Sequence, residues 1–349
     1  MHADFSCVLR RCLNLANTKV LFVNFFPNSL INELNKRRYD ITTFNTRGGN
    51  CLLSSSSIEN FDIVYFAKMY PPMWDDVGLI LKRNRTPVIY AFHAPLIIFH
   101  PYRPTNHFLN FVSLMKIFYI RLNRSIAAIH VLNTNEYRII RYLGFKCYFT
   151  PLGVDTSLFK PGRRSDKFTV VFVGPRFGKG VDMLSRIIPM VLRKAPEIKF
   201  ALAGEGFLDK YFALLRDTFR NNVEIYGSLP QEEFAKLLAT SHVFLFLSRY
   251  ETFGLATLEA LSCGVPVVCF RIAGTPKDII LTQKAGIVVD PFAIDKIVNG
   301  IIDYYEMWKS NASEFDRLSV ACRNVALKFD WRIIAELFDH MFKDVSKFE

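Results

Sequence analysis

The stretch FTVVFVGPRFGKGVDMLSRIIPMVLRKAPEIKFALAGEG, residues 168–206, decides the fold. Residues 168–173 are a short apolar run, residues 181–195 carry apolar side chains at helical spacing, and residues 198–203 are apolar again. Strand, glycine-rich turn, amphipathic helix and strand in that order make one unit of a parallel sheet, because parallel neighbours need a crossover of this length.

The same alternation fills the rest of the chain. Before it lie predicted strands at 19–26, 39–44, 61–66, 87–92 and 126–132, with helices at 29–38, 74–84 and 134–144. After it come helices 207–220, 231–239 and 255–262, strands 222–226, 243–247, 265–270 and 285–290, and three closing helices. The fold class read from this is α/β, two doubly wound Rossmann-like domains with the active site expected in the cleft between them. The predicted boundaries are a tail 1–17, a first domain 18–150, a linker 151–165, a second domain 166–330 and a C-terminal helix 331–349. That helix has a stripe of Trp331, Ile334, Leu337, Phe338 and Met341, which caps its own domain or crosses to the first. LSSSSIEN (53–60) reads as a connecting segment.

Half of the 349 residues are apolar, 33 are phenylalanine and 22% are charged, which excludes a disordered chain and predicts large buried interiors. The longest window free of Asp, Glu, Lys and Arg, residues 86–102, has 17 residues and includes Pro87, Pro95 and Pro101. A spanning helix needs about 20 apolar residues, so none is expected. The opening MHADFSCVLRRCLNLANTK does not read as a signal peptide, and the expected compartment is the cytoplasm. Cys7, Cys12, Cys51, Cys147, Cys263, Cys269 and Cys322 form no Cys-x-x-Cys pair; they read as small buried residues and predict no metal site. The net charge of +12 is uneven: residues 1–155 hold 18 basic and 9 acidic residues, residues 156–349 hold 26 and 23. A basic first half suits nucleic acid, an anionic bilayer or a phosphorylated substrate, or serves solubility alone. No helix-turn-helix, zinc finger or aromatic RNA-binding signature occurs, so a nucleic-acid partner is not expected.

Strand-to-helix loops are where such sheets bind ligands. NFFPNSL after the first strand has no glycine, which disfavours a dinucleotide cofactor. GPRFGKG (174–180) sets Arg176 and Lys179 before a helix, a diphosphate cradle or a solvated basic turn. GEG (204–206) reads as a tight turn more readily than as a nucleotide contact. In SRYETFGLATLEALSCGVPVV (248–268), Glu251 lies in the loop, Gly254 opens a helix and Glu259 falls in its second turn. One carboxylate reaches the reacting end of a ligand and the other its vicinal hydroxyls; the plain alternatives are a dipole partner and a surface charge. His93 follows the strand PVIYAF, at its carboxyl end, where a functional role competes with a structural one; His100, His107 and His130 read as structural. HFLNFVSLMKIFYIRLNR (107–124), just after FHPYR (99–103), is a core helix or an interfacial one on an anionic membrane surface.

From PLGVDTSLFKP to the C-terminus, through FVGPRFGKGVDML, ALAGEG, VEIYGSLPQEEF and ETFGLATLEALSCGVPVV, the chain resembles the retaining, nucleotide-sugar-dependent glycosyltransferases of family four, which have the GT-B fold. The resemblance implies that Arg176 and Lys179 hold the donor diphosphate, the Gly254 and Leu255 amides its phosphates, Glu259 the ribose, Tyr226 the base and Glu251 the donor sugar. In the first half it rests on IYAFHAP, whose His93 corresponds to a family histidine at the donor sugar. Departures are Pro175 where an arginine often stands, Leu152 at a linker asparagine, and the glycine pair missing after the first strand.

The expected activity is transfer of a hexose from a nucleoside diphosphate sugar to a carbohydrate or lipid-linked acceptor bound by the basic domain. The resemblance implies front-face attack with retention, with His93 and Glu251 at the reacting sugar, and no cofactor or metal is expected. Two cations and helix dipoles suffice for the leaving diphosphate. The rival reading is an inactive GT-B subunit that binds nucleotide-sugar and supports a partner enzyme.

Overall fold

A computed structural model describes residues 18–25, 27–45, 58–68, 86–93, 115, 117, 118, 120, 121, 126–206 and 209–347. The chain divides into two compact units, Met1–Pro151 with Trp331–Glu349, and Leu152–Asp330.

In the first unit, β1 (Thr18–Val23), α1 (Asn28–Lys36), β2 (Tyr39–Phe44), β3 (Ile63–Lys68), β4 (Val88–Phe92), β5 (Ile126–Val131), α2 (Thr134–Tyr142) and β6 (Cys147–Phe149) follow one another. The strands pair in parallel in the order β2-β1-β3-β4-β5-β6. Val20 sits opposite Ile41 and Ile63, and every residue of β4 is buried, as expected of a central strand covered on both faces. β6 escapes prediction because three residues, Cys147 to Phe149, carry no measurable period. The predicted strand 61–66 moves on to Ile63–Lys68 because Asp62 is the turn residue: its carboxylate accepts from the Lys19 amide at 2.8 Å. The predicted helix 74–84, FHPYR, His100 and His107 lie outside the described residues.

In the second unit, β7 (Thr169–Val173) leads through two 3-10 turns, Phe177–Lys179 and Val181–Met183, into α3 (Leu184–Lys194). Then come β8 (Lys199–Ala203), α4 (Asp209–Thr218), β9 (Val223–Tyr226), α5 (Gln231–Ala239), β10 (Val243–Phe246), α6 (Leu255–Ser262), β11 (Val267–Phe270), a π-helical turn Pro276–Leu281, β12 (Gly286–Val289), α7 (Ile294–Ser310) and α8 (Ala312–Leu327). The all-parallel order is β12-β11-β10-β7-β8-β9, so strand order reverses between β7 and β10. Phe168, Phe172, Phe200, Leu202, Ile187, Ile188 and Val191 fill one contiguous core with α7. Each such side chain contributes roughly 1.5–3 kcal/mol on burial. Cys263, Cys269 and Cys322 are buried here, and Cys147 in the first unit, as small apolar residues.

The last helix, α9 (Trp331–Val345), belongs to the first unit. Its buried side is Trp331, Ile334, Ala335, Phe338, Met341, Phe342 and Val345, spaced by three and four. Leu337, expected in that stripe, falls off the spacing and is 41% exposed. Phe342 meets Tyr39 edge-on and lies tilted near Phe22, Phe338 lies near Tyr65, and Tyr39 donates to Asp339 at 2.7 Å. In the stretch 107–124, Ile117 and Ile120 join the first unit's core while Phe118 is 55% exposed. Arg121 bonds the Leu143 carbonyl and lies over the Phe145 ring, so its charge is engaged within the unit.

Candidate functional site

The strand order of the second sheet places the loops after β7 and β10 side by side at its switch point, where ligands of open parallel sheets sit. In the loop after β7, Gly180 has no room for a side chain and Gly178 lies close under the Tyr250 ring. Gly180 has φ 84° and a Cβ there would stand 2.4 Å from the Leu247 carbonyl; at Gly178 it would stand 2.9 Å from the Tyr250 hydroxyl. The predicted helix 181–195 follows left-handed Gly180 and opens as the 3-10 turn Val181–Met183, becoming α-helical only at Leu184.

Arg249, 8% exposed along its side chain, ties the two loops together. Its amide donates to the Gly178 carbonyl at 2.9 Å, its guanidinium grips both Asp182 oxygens at 2.8 and 2.7 Å, and it covers the Phe177 ring at 3.8 Å. The sequence reading missed this residue, because its partner lies 67 positions away. The turn GEG joins the same cluster: Gly204 donates to the Tyr226 and Gly227 carbonyls, and Gly206 faces Arg176. Tyr226 is thereby held at the end of β9, its hydroxyl donating to Glu224 at 2.7 Å; burial, aided by Glu224, pushes the phenol up to about 12. Beside it runs a cleft of about 520 Å³ lined in part by Arg216 and Arg220.

Lys179 and Glu251, from the two loops, form an ion pair, with the ammonium 5.8 Å from the Phe246 ring centre. Arg176 is exposed. Gly254, at φ 91°, caps α6 without a side-chain hydrogen bond; the Thr257 amide donates to the Gly254 carbonyl at 3.1 Å, and the Leu255 and Ala256 amides, with no such bond among the described residues, are left for water or a ligand. Glu259 in the second turn is 9% exposed and accepts no hydrogen bond among the described residues; burial pushes its carboxyl up to about 7. With no protein partner among the described residues, its oxygens are free to accept from vicinal hydroxyls. The loop after β11, also missed, supports this ground: Thr275 donates its amide to Phe253 at 2.6 Å, and Gly274 has space for no Cβ there.

In the first unit, Asn24 supplies the left-handed turn after β1, at φ 64°, where the family pattern has glycine. His93 ends β4, half-buried, with the Phe25 ring 4.2 Å away. Its Nε2 is 2.9 Å from the Tyr65 hydroxyl, which is itself 2.7 Å from His130 Nδ1; His130 Nε2 is 2.8 Å from the Thr150 carbonyl. Burial lowers both imidazoles, His130 to about 4. Tyr65 went unnoticed in the sequence, where a tyrosine in FDIVYF reads as strand packing.

Residues 154–315 match the family model of glycosyl transferases group 1. The second unit is a group 1 glycosyltransferase domain. A human protein that is one subunit of a phosphatidylinositol N-acetylglucosaminyltransferase is 30% identical to the chain over 202 residues, 56% of this chain and 40% of the relative. Its namesake in Arabidopsis thaliana is 32% identical over 158 residues, 44% of this chain and 35% of the relative. The chain therefore spans well under half the length of these curated relatives in the matched regions. Among solved structures, sucrose-phosphate synthase from Thermosynechococcus elongatus superposes with a TM-score of 0.77 at 15% identity, covering 94% of this chain and 98% of that one. The fold is that of the GT-B glycosyltransferases, two parallel six-stranded α/β sheets.

Proposed function

We propose that the chain transfers a sugar from a nucleoside diphosphate sugar to a lipid-borne acceptor of the inositol phospholipid class. The observation that carries the donor half is Glu259, a buried residue with no partner among the described residues, one turn into the helix that follows the loop holding Glu251, to which Lys179 pairs from the loop after β7. In this reading Glu259 takes the ribose hydroxyls and Tyr226 flanks the base. Lys179, Arg176 and the Gly254 and Leu255 amides take the diphosphate, so that charge developing on the leaving group meets cations and amides already in place, with no metal. Lys179 then passes from Glu251 to the phosphate, and Glu251, with His93, turns to the donor sugar. Retention through front-face attack, the leaving phosphate accepting the acceptor's proton, suits a site whose carboxylates are committed to binding.

The acceptor half rests on the names of the relatives and on the basic first half of the chain. Among the described residues no helix is long and apolar enough to cross a membrane; the basic first half is what supports docking of this chain on an anionic bilayer. The test has two stages. First, UDP-, GDP- and ADP-sugars are screened for a rise in melting temperature, expected for one nucleotide. Second, UDP-N-acetylglucosamine is offered with vesicles containing phosphatidylinositol, and glycolipid is sought by mass spectrometry, with and without a chelator. No shift from any nucleotide sugar overturns the donor half; a shift with transfer only to soluble sugars overturns the acceptor half.

A further inference from the structure

The first unit holds a polar chain, His93, Tyr65, His130 and the Thr150 carbonyl, linked at 2.9, 2.7 and 2.8 Å, of which the reaction scheme uses only His93. Its proton positions follow from one fixed end. A carbonyl only accepts, so His130 Nε2 carries a proton and donates to Thr150. His130 is fully buried among Tyr65 and Phe338 and its imidazole is neutral at pH 7, so its Nδ1 has a lone pair and accepts. The Tyr65 proton therefore points at His130, and the Tyr65 oxygen is left to accept from His93 Nε2. We infer that Tyr65 and His130 are positioning residues that hold His93 in the Nε2–H tautomer, presenting its Nδ1 as an acceptor for a hydroxyl of the bound sugar or acceptor. The ring has little freedom to turn, since Phe25 lies against it. The second clause rests on the glycosyl-transfer reading; the tautomer does not.

The test separates the two. In the full chain labelled with nitrogen-15 histidine, with His93 assigned by His93→Gln, long-range nitrogen–proton correlation at neutral pH should show a protonated Nε2 and a bare Nδ1. A proton on Nδ1 overturns the inference whatever the enzyme does. Tyr65→Phe keeps the ring among Phe22, Phe25 and Phe338 and removes only the hydroxyl, and should give mixed tautomers at His93. With UDP-N-acetylglucosamine as the probe, Tyr65→Phe and His130→Leu should lower kcat roughly tenfold and change KM less than about twofold. His130→Gln, which keeps one donor and one acceptor, should recover most of the loss and the Nε2–H signal. Wild-type kcat in His130→Leu overturns the positioning role; a correct tautomer in a chain that turns over no nucleotide sugar instead overturns the transfer reading.

Discussion

Glu259 makes the sharpest statement at the residue scale. Its carboxyl titrates near 7 in the folded chain because burial disfavours the charge, against 4.5 for an ordinary glutamate. The folded state therefore holds the proton more tightly, so its contribution is intact below the unfolded value and is lost as pH rises towards 7. Relative to wild type, Glu259→Gln should gain about 3 kcal/mol of stability between pH values near 4 and 8, read by urea unfolding. A difference independent of pH would show the carboxyl to be hydrated. For the ligand, Glu259→Ala should weaken bare nucleotide binding, whereas Glu251→Ala should lower turnover and leave that affinity nearly intact; equal losses by calorimetry would refute this division. Lys179→Ala should weaken nucleotide diphosphate binding about tenfold through loss of a charge-assisted bond. Glu251, Glu259 and Lys179 could be nominated from the sequence because each sits close to a glycine in or beside a strand-to-helix loop, and the structure pairs Lys179 with Glu251. Tyr65 and His130 could not be, since a hydrogen bond between side chains on different strands leaves no pattern along the chain.

At the scale of elements, the two loops of the switch point act as one piece because Arg249 joins them. Removing it strands Asp182 and unstacks Phe177; Arg249→Met should cost about 2–3 kcal/mol, a figure held down because the Asp182 side chain is 38% exposed. The same change should weaken nucleotide-sugar binding without touching the ligand, and a double-mutant cycle with Asp182→Asn should show coupling; additive losses would separate the two residues. Strands and helices of the second unit were legible to within a few residues, because fully buried parallel strands are continuous apolar runs. Two features were not. The 3-10 turns before α3 flank Gly180, which lies too close to the Leu247 carbonyl for a Cβ, and the π-helical turn Pro276–Leu281 packs beside β12; neither neighbour is local information.

For the whole molecule, the consequence to test is the placement of α9. The periodicity announced an amphipathic helix but not its partner, since an apolar stripe fits either sheet's helices; the partner is fixed by Tyr39, Tyr65 and Phe22, which lie some 300 residues earlier. Trp331, Ile334, Phe338, Met341, Phe342 and Val345 are buried, and at roughly 1.5–3 kcal/mol each their loss is comparable to the whole stability of an ordinary domain. A chain ending at Asp330 should therefore keep a folded second unit and lose the first. That second unit has its own core and, in the proposed scheme, the nucleotide contacts, so the truncated chain should still bind the nucleotide found in the screen while transferring nothing. Limited proteolysis should cut residues 18–150 rapidly and leave 152–330 intact. A protease-resistant first unit in the truncated chain would mean that α9 covers its sheet without being needed to hold it; loss of nucleotide binding together with the first unit would mean that the donor half of the site is not confined to the second.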